Sequence, residues 1–142
     1  MDRTEIEALL PHRGAMLWVD RLTLVEPGVR AVGTRAIGTE EFWVAGHFPG
    51  HAVLPGVLVA EALAQVGALA WLSGNRETAG RAVYLVGIDK LRFRRPVRPG
   101  EELVLDVRIT AVRHGMLRCE GAARVGDDRV ADGTFLATLA RE

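Results

Sequence analysis

GHFPGHAVLPGVLVAEALAQVGALAWL, residues 46 to 72, changes character part-way along. It opens as a loop punctuated by Pro49, Gly50, Pro55 and Gly56, and from Val57 onward it holds no helix breaker except Gly67. Only Glu61 and Gln65 interrupt the apolar run. A helix that is apolar all round is a buried helix, so the remaining chain has to wrap it. A carboxylate inside such a helix is costly unless paired or protonated, which makes Glu61 the first residue that needs a reason. The second is His47, 14 positions upstream, in the loop that leads to the first turns of the helix.

Working outward, the flanks read as sheet. Upstream, Thr4 to Leu10 is predicted as a short amphipathic helix with Thr4 as its N-cap and Pro11 as its stop. Met16 to Val25 (MLWVDRLTLV) and Val29 to Ile37 (VRAVGTRAI) then form a hairpin about Glu26-Pro27-Gly28. Downstream, Ser73-Gly74-Asn75 ends the helix, and a polar segment runs to Gly80. Ala82 to Ile88 continues into Lys90 to Arg95, where alternation puts Lys90, Arg92 and Arg94 on one face. Leu103, Leu105, Val107 and Ile109 alternate with polar partners, as do Leu117, Cys119, Gly121, Ala123 and Val125. His114-Gly115 turns between these two strands, and Arg129 to Leu139 closes the chain. The predicted class is α+β: one antiparallel sheet of about six strands curled around one long buried helix. Small residues at Ala60, Ala62, Ala64, Gly67, Ala68 and Ala70 let the sheet come close. Open sheet edges favour pairing with a second copy.

With 142 residues, 49% of them apolar, the chain is read as a single domain over residues 1–142. Its 18 basic and 18 acidic side chains cancel, which argues against nucleic acid or an anionic membrane as partner. The one cysteine, Cys119, cannot form an internal disulfide, and the first residues carry acids rather than an apolar core, so a reducing cytoplasm is expected. Ala52 to Leu72 has the length of a membrane span. Pro55 and Gly56 shorten it, however, Glu61 and Gln65 sit inside it, and sheet-forming sequence surrounds it.

GHFPGHAVLPGVLVAEALAQ resembles the signature of the hotdog-fold 3-hydroxyacyl-acyl-carrier-protein dehydratases of the FabZ type. LLPHRGAMLWVDR resembles that family's N-terminal segment, and VYLVGIDKLRFRRPVRPGEEL its strand after the helix, so the likeness runs in order along the chain. A departure is Gly14-Ala15, where the family more often has an aromatic residue and a proline; this version also resembles dehydratase-like hotdog proteins of secondary metabolism, so the expected pathway is fatty acid or polyketide-type biosynthesis. The resemblance implies that His47 and Glu61 are a catalytic pair, contributed by different subunits and meeting at a dimer interface. It implies that the backbone N–H groups of Gly56 and Val57 hold the thioester carbonyl. It also implies that Tyr84 gates the acyl tunnel, with Phe48 in its surroundings; Gln65, one helical turn on from Glu61, shares its face and is read either as its hydrogen-bond partner or as the filler of a polar pocket. No cofactor or metal is implied. Relatives that also isomerise the double bond tend to carry Asp at the helix acid position, so Glu61 favours dehydration alone.

These residue types suit that chemistry. Dehydrating a 3-hydroxyacyl thioester needs a base for the α proton and an acid for the departing hydroxide. A neutral imidazole is available near pH 7, and a carboxyl group inside an apolar helix holds its proton more tightly than in water. Unpaired N–H groups at a helix start can stabilise the charge that develops on the thioester oxygen. Other readings stay open at this point. His47 could be a loop-anchoring hydrogen bonder, Glu61 a carboxylate satisfied by an arginine, and Tyr84 a half-buried sheet aromatic. His47 and His51 have a metal-like spacing, but Pro49-Gly50 between them breaks any helix and no thiolate accompanies them. His12 and Arg13 are expected to anchor the N-terminal segment. Lys90, Arg92, Arg94, Arg95 and Arg98 are either a solvated face or a docking patch for an acidic acyl carrier protein. The rival functions are a hotdog acyl thioesterase and a non-catalytic acyl-carrier-protein binding subunit. The expected assembly is a homodimer or a dimer-based higher oligomer.

Overall fold

The computed structural model describes residues 1–141. The long helix, α2 (Gly56–Gly74), is buried on nearly every side, as its all-round apolarity demands. It is long and apolar enough to cross a membrane, yet 72% of its most apolar window is buried inside the fold. Wrapped round it is one antiparallel sheet of six strands in the order β1-β2-β4-β5-β6-β3. These are β1 (Arg21–Glu26), β2 (Arg30–Ala36), β3 (Val83–Phe93), β4 (Glu102–Arg113), β5 (Met116–Val125) and β6 (Asp128–Leu139). Leu103, Leu105, Val107, Leu117, Cys119 and Ala123 face α2 and are fully buried, so the period-2 pattern of β4 and β5 reports their inner face faithfully. Sheet and helix approach closely at Gly67, where an added Cβ would lie 3.2 Å from the Phe135 ring and 3.3 Å from Cys119 Sγ. His114 and Gly115, at φ 51° and 75°, make the tight β4–β5 turn.

Three local expectations are corrected. The first helix, α1 (Arg3–Leu9), is capped by Asp2 instead of Thr4: Asp2 accepts the Glu5 N–H at 2.9 Å, and the Glu5 side chain accepts the Asp2 N–H at 3.2 Å. Met16 to Asp20 is not strand. Gly14–Met16 is a turn of 3-10 helix, and the strand starts only at Arg21. The reason is that the backbone groups a ladder would use are bonded elsewhere: the Trp18 N–H donates to Gln65 Oε1 at 2.7 Å, and Gln65 Nε2 donates to the Met16 carbonyl at 2.7 Å. Finally, Lys90, Arg92 and Arg94 do not alternate simply. Lys90 has φ 53°, and the β3–β6 register shifts between Asp89 and Arg92. The bulge is pressed against Gly133, where a Cβ would stand 2.5 Å from Leu91 Cα.

Strand β3 is an outer edge of the sheet. It leaves Tyr84, Leu85, Val86, Ile88 and Phe93 exposed, an apolar edge of the kind that single-chain proteins normally cover.

Candidate active site

His47 reaches its place through a braced loop. Glu41 accepts hydrogen bonds from both terminal nitrogens of Arg35 (3.0 and 2.7 Å), from the Gly38 N–H (2.5 Å) and from Trp43 Nε1 (3.2 Å). Burial opposes its ionisation, but the bonds from Arg35 and Gly38 prevail and hold its carboxyl below the usual range. From there the His47 N–H donates to the Trp43 carbonyl at 2.9 Å, and the Val53 N–H to the His47 carbonyl at 2.7 Å. The ring itself is fixed by one contact: Nδ1 lies 2.7 Å from the Val53 carbonyl oxygen. A carbonyl can only accept, so Nδ1 carries the hydrogen and Nε2 keeps a free lone pair. Phe48 stacks on the ring at 4.2 Å and is itself 52% exposed.

His47 opens into a cleft of about 450 Å³ that also reaches Gly56, Val59, Phe93 and Val97. The start of α2 forms its floor. Pro55 supplies no side-chain cap, and among the described residues the N–H groups of Gly56 and Val57 have no acceptor, as expected of the first turn of a helix. Val57 is 75% exposed. The Phe93 ring lies 3.0 Å from where a Cβ on Gly56 would be, so the glycine keeps this approach open.

Glu61 lies elsewhere. It lines a cavity of about 20 Å³ with His12, Ala64, Gln65, Ala68, Val83, Leu85 and Ala137, room for roughly one water. Val59 and Glu61 project about 200° apart on α2, so the cleft and the cavity lie on different sides of the helix and share no residue. Within one chain, His47 and Glu61 are therefore not brought together. The Glu61 side chain is 27% exposed, so it is partly buried and not enclosed in the core. Its oxygen Oε1 accepts the Gln65 amide N–H at 2.9 Å. Gln65 thus ties three things at once: Glu61, the Trp18 N–H and the Met16 carbonyl. Gln65→Leu strands the last two without partners, and we expect it to lower the free energy of unfolding by about 2 kcal/mol, read by urea titration.

Sequence reasoning missed His12. Arg13 does anchor the segment, donating to the Leu10, His12 and Glu7 carbonyls at 2.7 Å each. His12 instead points at Glu61, its Nε2 3.6 Å from Oε1. Tyr84 is 58% exposed on the β3 edge and lines neither the cleft nor the cavity. Of the basic cluster, Arg94 is bonded to Asp132, and Arg95 to Glu101 with Asp128 nearby. Lys90, Arg92 and Arg98 are exposed. His51 turns towards Arg98, its Nδ1 at 3.5 Å from Nη1. Among the described residues no group of three or more His, Cys, Asp or Glu could hold a metal ion.

Comparison with known proteins gives a consistent result. The FabA-like domain family matches residues 10–134. The chain is 40% identical over 142 residues to the 3-hydroxyacyl-acyl-carrier-protein dehydratase FabZ of Caldanaerobacter subterraneus subsp. tengcongensis, covering 100% of both. It is 47% identical over 132 residues to that of Chloroflexus aggregans, covering 93% of this chain and 91% of the relative. For the Myxococcus xanthus protein of the same name the figures are 44% over 140 residues, 98% and 92%. Among solved structures, the dehydratase heterocomplex ApeI:P of Xenorhabdus doucetiae superposes with a TM-score of 0.81 over 96% of this chain and 91% of that one. At 15% identity this speaks for the fold alone. Full-length likeness at this level, with the hotdog architecture around α2, places the chain in the FabA-like family, among the FabZ-type 3-hydroxyacyl-acyl-carrier-protein dehydratases.

Proposed function

We propose that this chain removes water from 3-hydroxyacyl thioesters carried on acyl carrier protein, in fatty acid biosynthesis, with His47 as base and Glu61 of a second subunit as acid. The observation that carries the reading is the Nδ1 contact of His47 with the Val53 carbonyl, which leaves Nε2 free to take a proton. His47 Nε2 accepts the α proton, and the electrons of that C–H bond form the Cα=Cβ double bond. The β C–O bond breaks as Glu61 protonates the departing hydroxide, and water leaves. Solvent then returns the proton from His47 to Glu61. Charge that builds on the thioester oxygen meets the N–H groups of Gly56 and Val57 and the positive end of α2.

Pairing of two β3 edges supports the two-subunit site. Val83 and Leu85, at the start of β3, line the Glu61 cavity, and Phe93, at its end, lines the His47 cleft. Two copies of one edge strand related by a two-fold axis pair antiparallel. The Glu61 end of one chain then lies beside the His47 end of the other, and the exposed Tyr84, Leu85, Val86 and Ile88 become covered. Cys119 fits a reducing cytoplasm: it is buried, and burial pushes its thiol up to about 12, so it is inert.

The test is incubation of the purified protein with a 3-hydroxyacyl-acyl-carrier-protein substrate, read by mass. Loss of one water supports the reading. Release of the free acid would instead mark a thioesterase, and no mass change over several chain lengths a non-catalytic binding subunit.

Carrier docking falls to the basic side chains that are not already paired. Arg98→Glu, on the exposed basic residue that lies outside the β3 edge, is expected to raise KM for the carrier-linked substrate about threefold at low salt. The same change should leave turnover of a short pantetheine thioester unchanged. Arg94 and Arg95 are poorer probes, because reversal would also break their contacts with Asp132 and Glu101.

A further inference from the structure

The two oxygens of Glu61 have unequal surroundings. Oε1 accepts the Gln65 amide and faces His12 Nε2, whereas among the described residues no hydrogen bond or ion pair reaches Oε2. Gln65 can present only its N–H here, because its own oxygen is taken by the Trp18 N–H and its nitrogen also serves the Met16 carbonyl. The His12 ring is likewise constrained. Its side chain is 17% exposed, and its Nδ1 is buried without a partner. A hydrogen on Nδ1 would be an unpaired buried donor and would also leave a bare Nε2 facing the Glu61 oxygen, acceptor against acceptor, so the ring's one hydrogen belongs on Nε2. Burial, the largest influence, pushes the His12 pKa down, against Glu61 and with Arg13. Those are the charged groups that act on it, and the downward shift favours the neutral ring. Arg13 holds the His12 carbonyl in place, so the direction of the ring is set by the N-terminal segment.

We propose that His12 is a positioning residue for the acid: its neutral Nε2–H joins the Gln65 amide in holding Oε1 of Glu61 as an acceptor, and the proton used in dehydration sits on Oε2. This deepens the reading given under Proposed function and rests on it. An oxygen faced by two N–H groups has no room for a hydrogen of its own, so protonation is directed to the other. At 3.6 Å the His12 contact is longer than a hydrogen bond. It acts through the N–H dipole, and such contacts tighten when substrate binds. With the proton on one defined oxygen, the carboxyl delivers it without first rotating or exchanging partners.

Two variants and one spectrum test this. His12→Phe keeps a ring and removes the N–H, and His12→Gln supplies an amide N–H near the place of Nε2. We expect His12→Phe to lower kcat about tenfold with KM within about twofold of wild type, and His12→Gln to recover most of that loss. A His12→Phe protein as fast as wild type would overturn the proposal. So would a Gln variant as slow as the Phe variant, because the site would then need an imidazole or its cation. Nitrogen-15 NMR of the wild-type ring keeps the question open to disproof even if a variant fails to fold. Hydrogen on Nε2 with bare Nδ1 at pH 7 supports the assignment, and an imidazolium or an Nδ1–H tautomer overturns it. Glu61→Gln and His47→Ala run beside them separate the levels: if these two remain active, the catalytic pair itself is wrong, whereas if they are dead and His12→Phe is not, only this inference fails.

Discussion

His47→Ala and Glu61→Gln are each expected to lower kcat for loss of water by about 10³-fold, at the middle of the range for a positioned acid or base, with far-ultraviolet circular dichroism unchanged. The expected effect is large because in the proposed mechanism each side chain has one chemical task and no understudy. His47 is held by Val53 through Nδ1, its neighbour His51 is turned towards Arg98, and His12 presents an N–H rather than a lone pair to the site, so neither of these imidazoles can take the α proton. Glu61→Gln is close to isosteric. It can still accept the Gln65 N–H that Glu61 accepts at 2.9 Å, and it lacks only the transferable proton. Near-wild-type turnover in either variant would remove that residue from the chemistry. The two should also differ in kind. His47→Ala opens the cleft it shares with Phe93 and Val97, so KM changes too, while the Gln variant should lose kcat with KM held.

What the sequence made legible divides along a physical line. Helix α2 could be read because only Gly67 interrupts it and it is apolar all round, and a local pattern of that kind has one stable solution, burial. The inner faces of β4 and β5 could be read because alternation maps directly onto the pleat. The Met16 to Asp20 segment could not. Its residues favour strand, but its hydrogen bonds are settled by Gln65, 47 positions from Trp18, and a tertiary partner outweighs local preference. Lys90 was misplaced for a similar reason: its φ of 53° belongs to a bulge that closes against Gly133 on another strand. The Glu61 to Gln65 contact was visible as one helical turn. His12 was not, since nothing in a sequence says that a residue 49 positions upstream of Glu61 will point at it. The pairing of His47 with Glu61 came from resemblance to a family, and one chain alone separates the two residues onto different sides of α2.

That separation leads to the second large effect. When His47→Ala and Glu61→Gln proteins, each nearly inactive, are unfolded together and refolded as a mixture, dehydratase activity should return to about a quarter of wild type, the value for randomly assorted dimers. Half of such dimers carry one chain of each kind. In each of these, one of the two sites takes His47 from the Glu61→Gln chain and Glu61 from the His47→Ala chain and is intact, while the other site lacks both. A site built within one chain predicts something different: every site then carries one lesion, and mixing restores nothing. The geometry favours recovery, because β3 touches the Glu61 cavity at Val83 and Leu85 and the His47 cleft at Phe93, so antiparallel edge pairing exchanges the two ends between subunits. A double variant carrying both changes, mixed with wild type, is the control. Its hybrid dimers, by contrast, carry one substitution in each site under the shared arrangement, so activity should fall below the share of wild-type chains added. If activity instead tracks that share linearly, and the complementary mixture stays dead, His47 and Glu61 do not meet across the β3 edge.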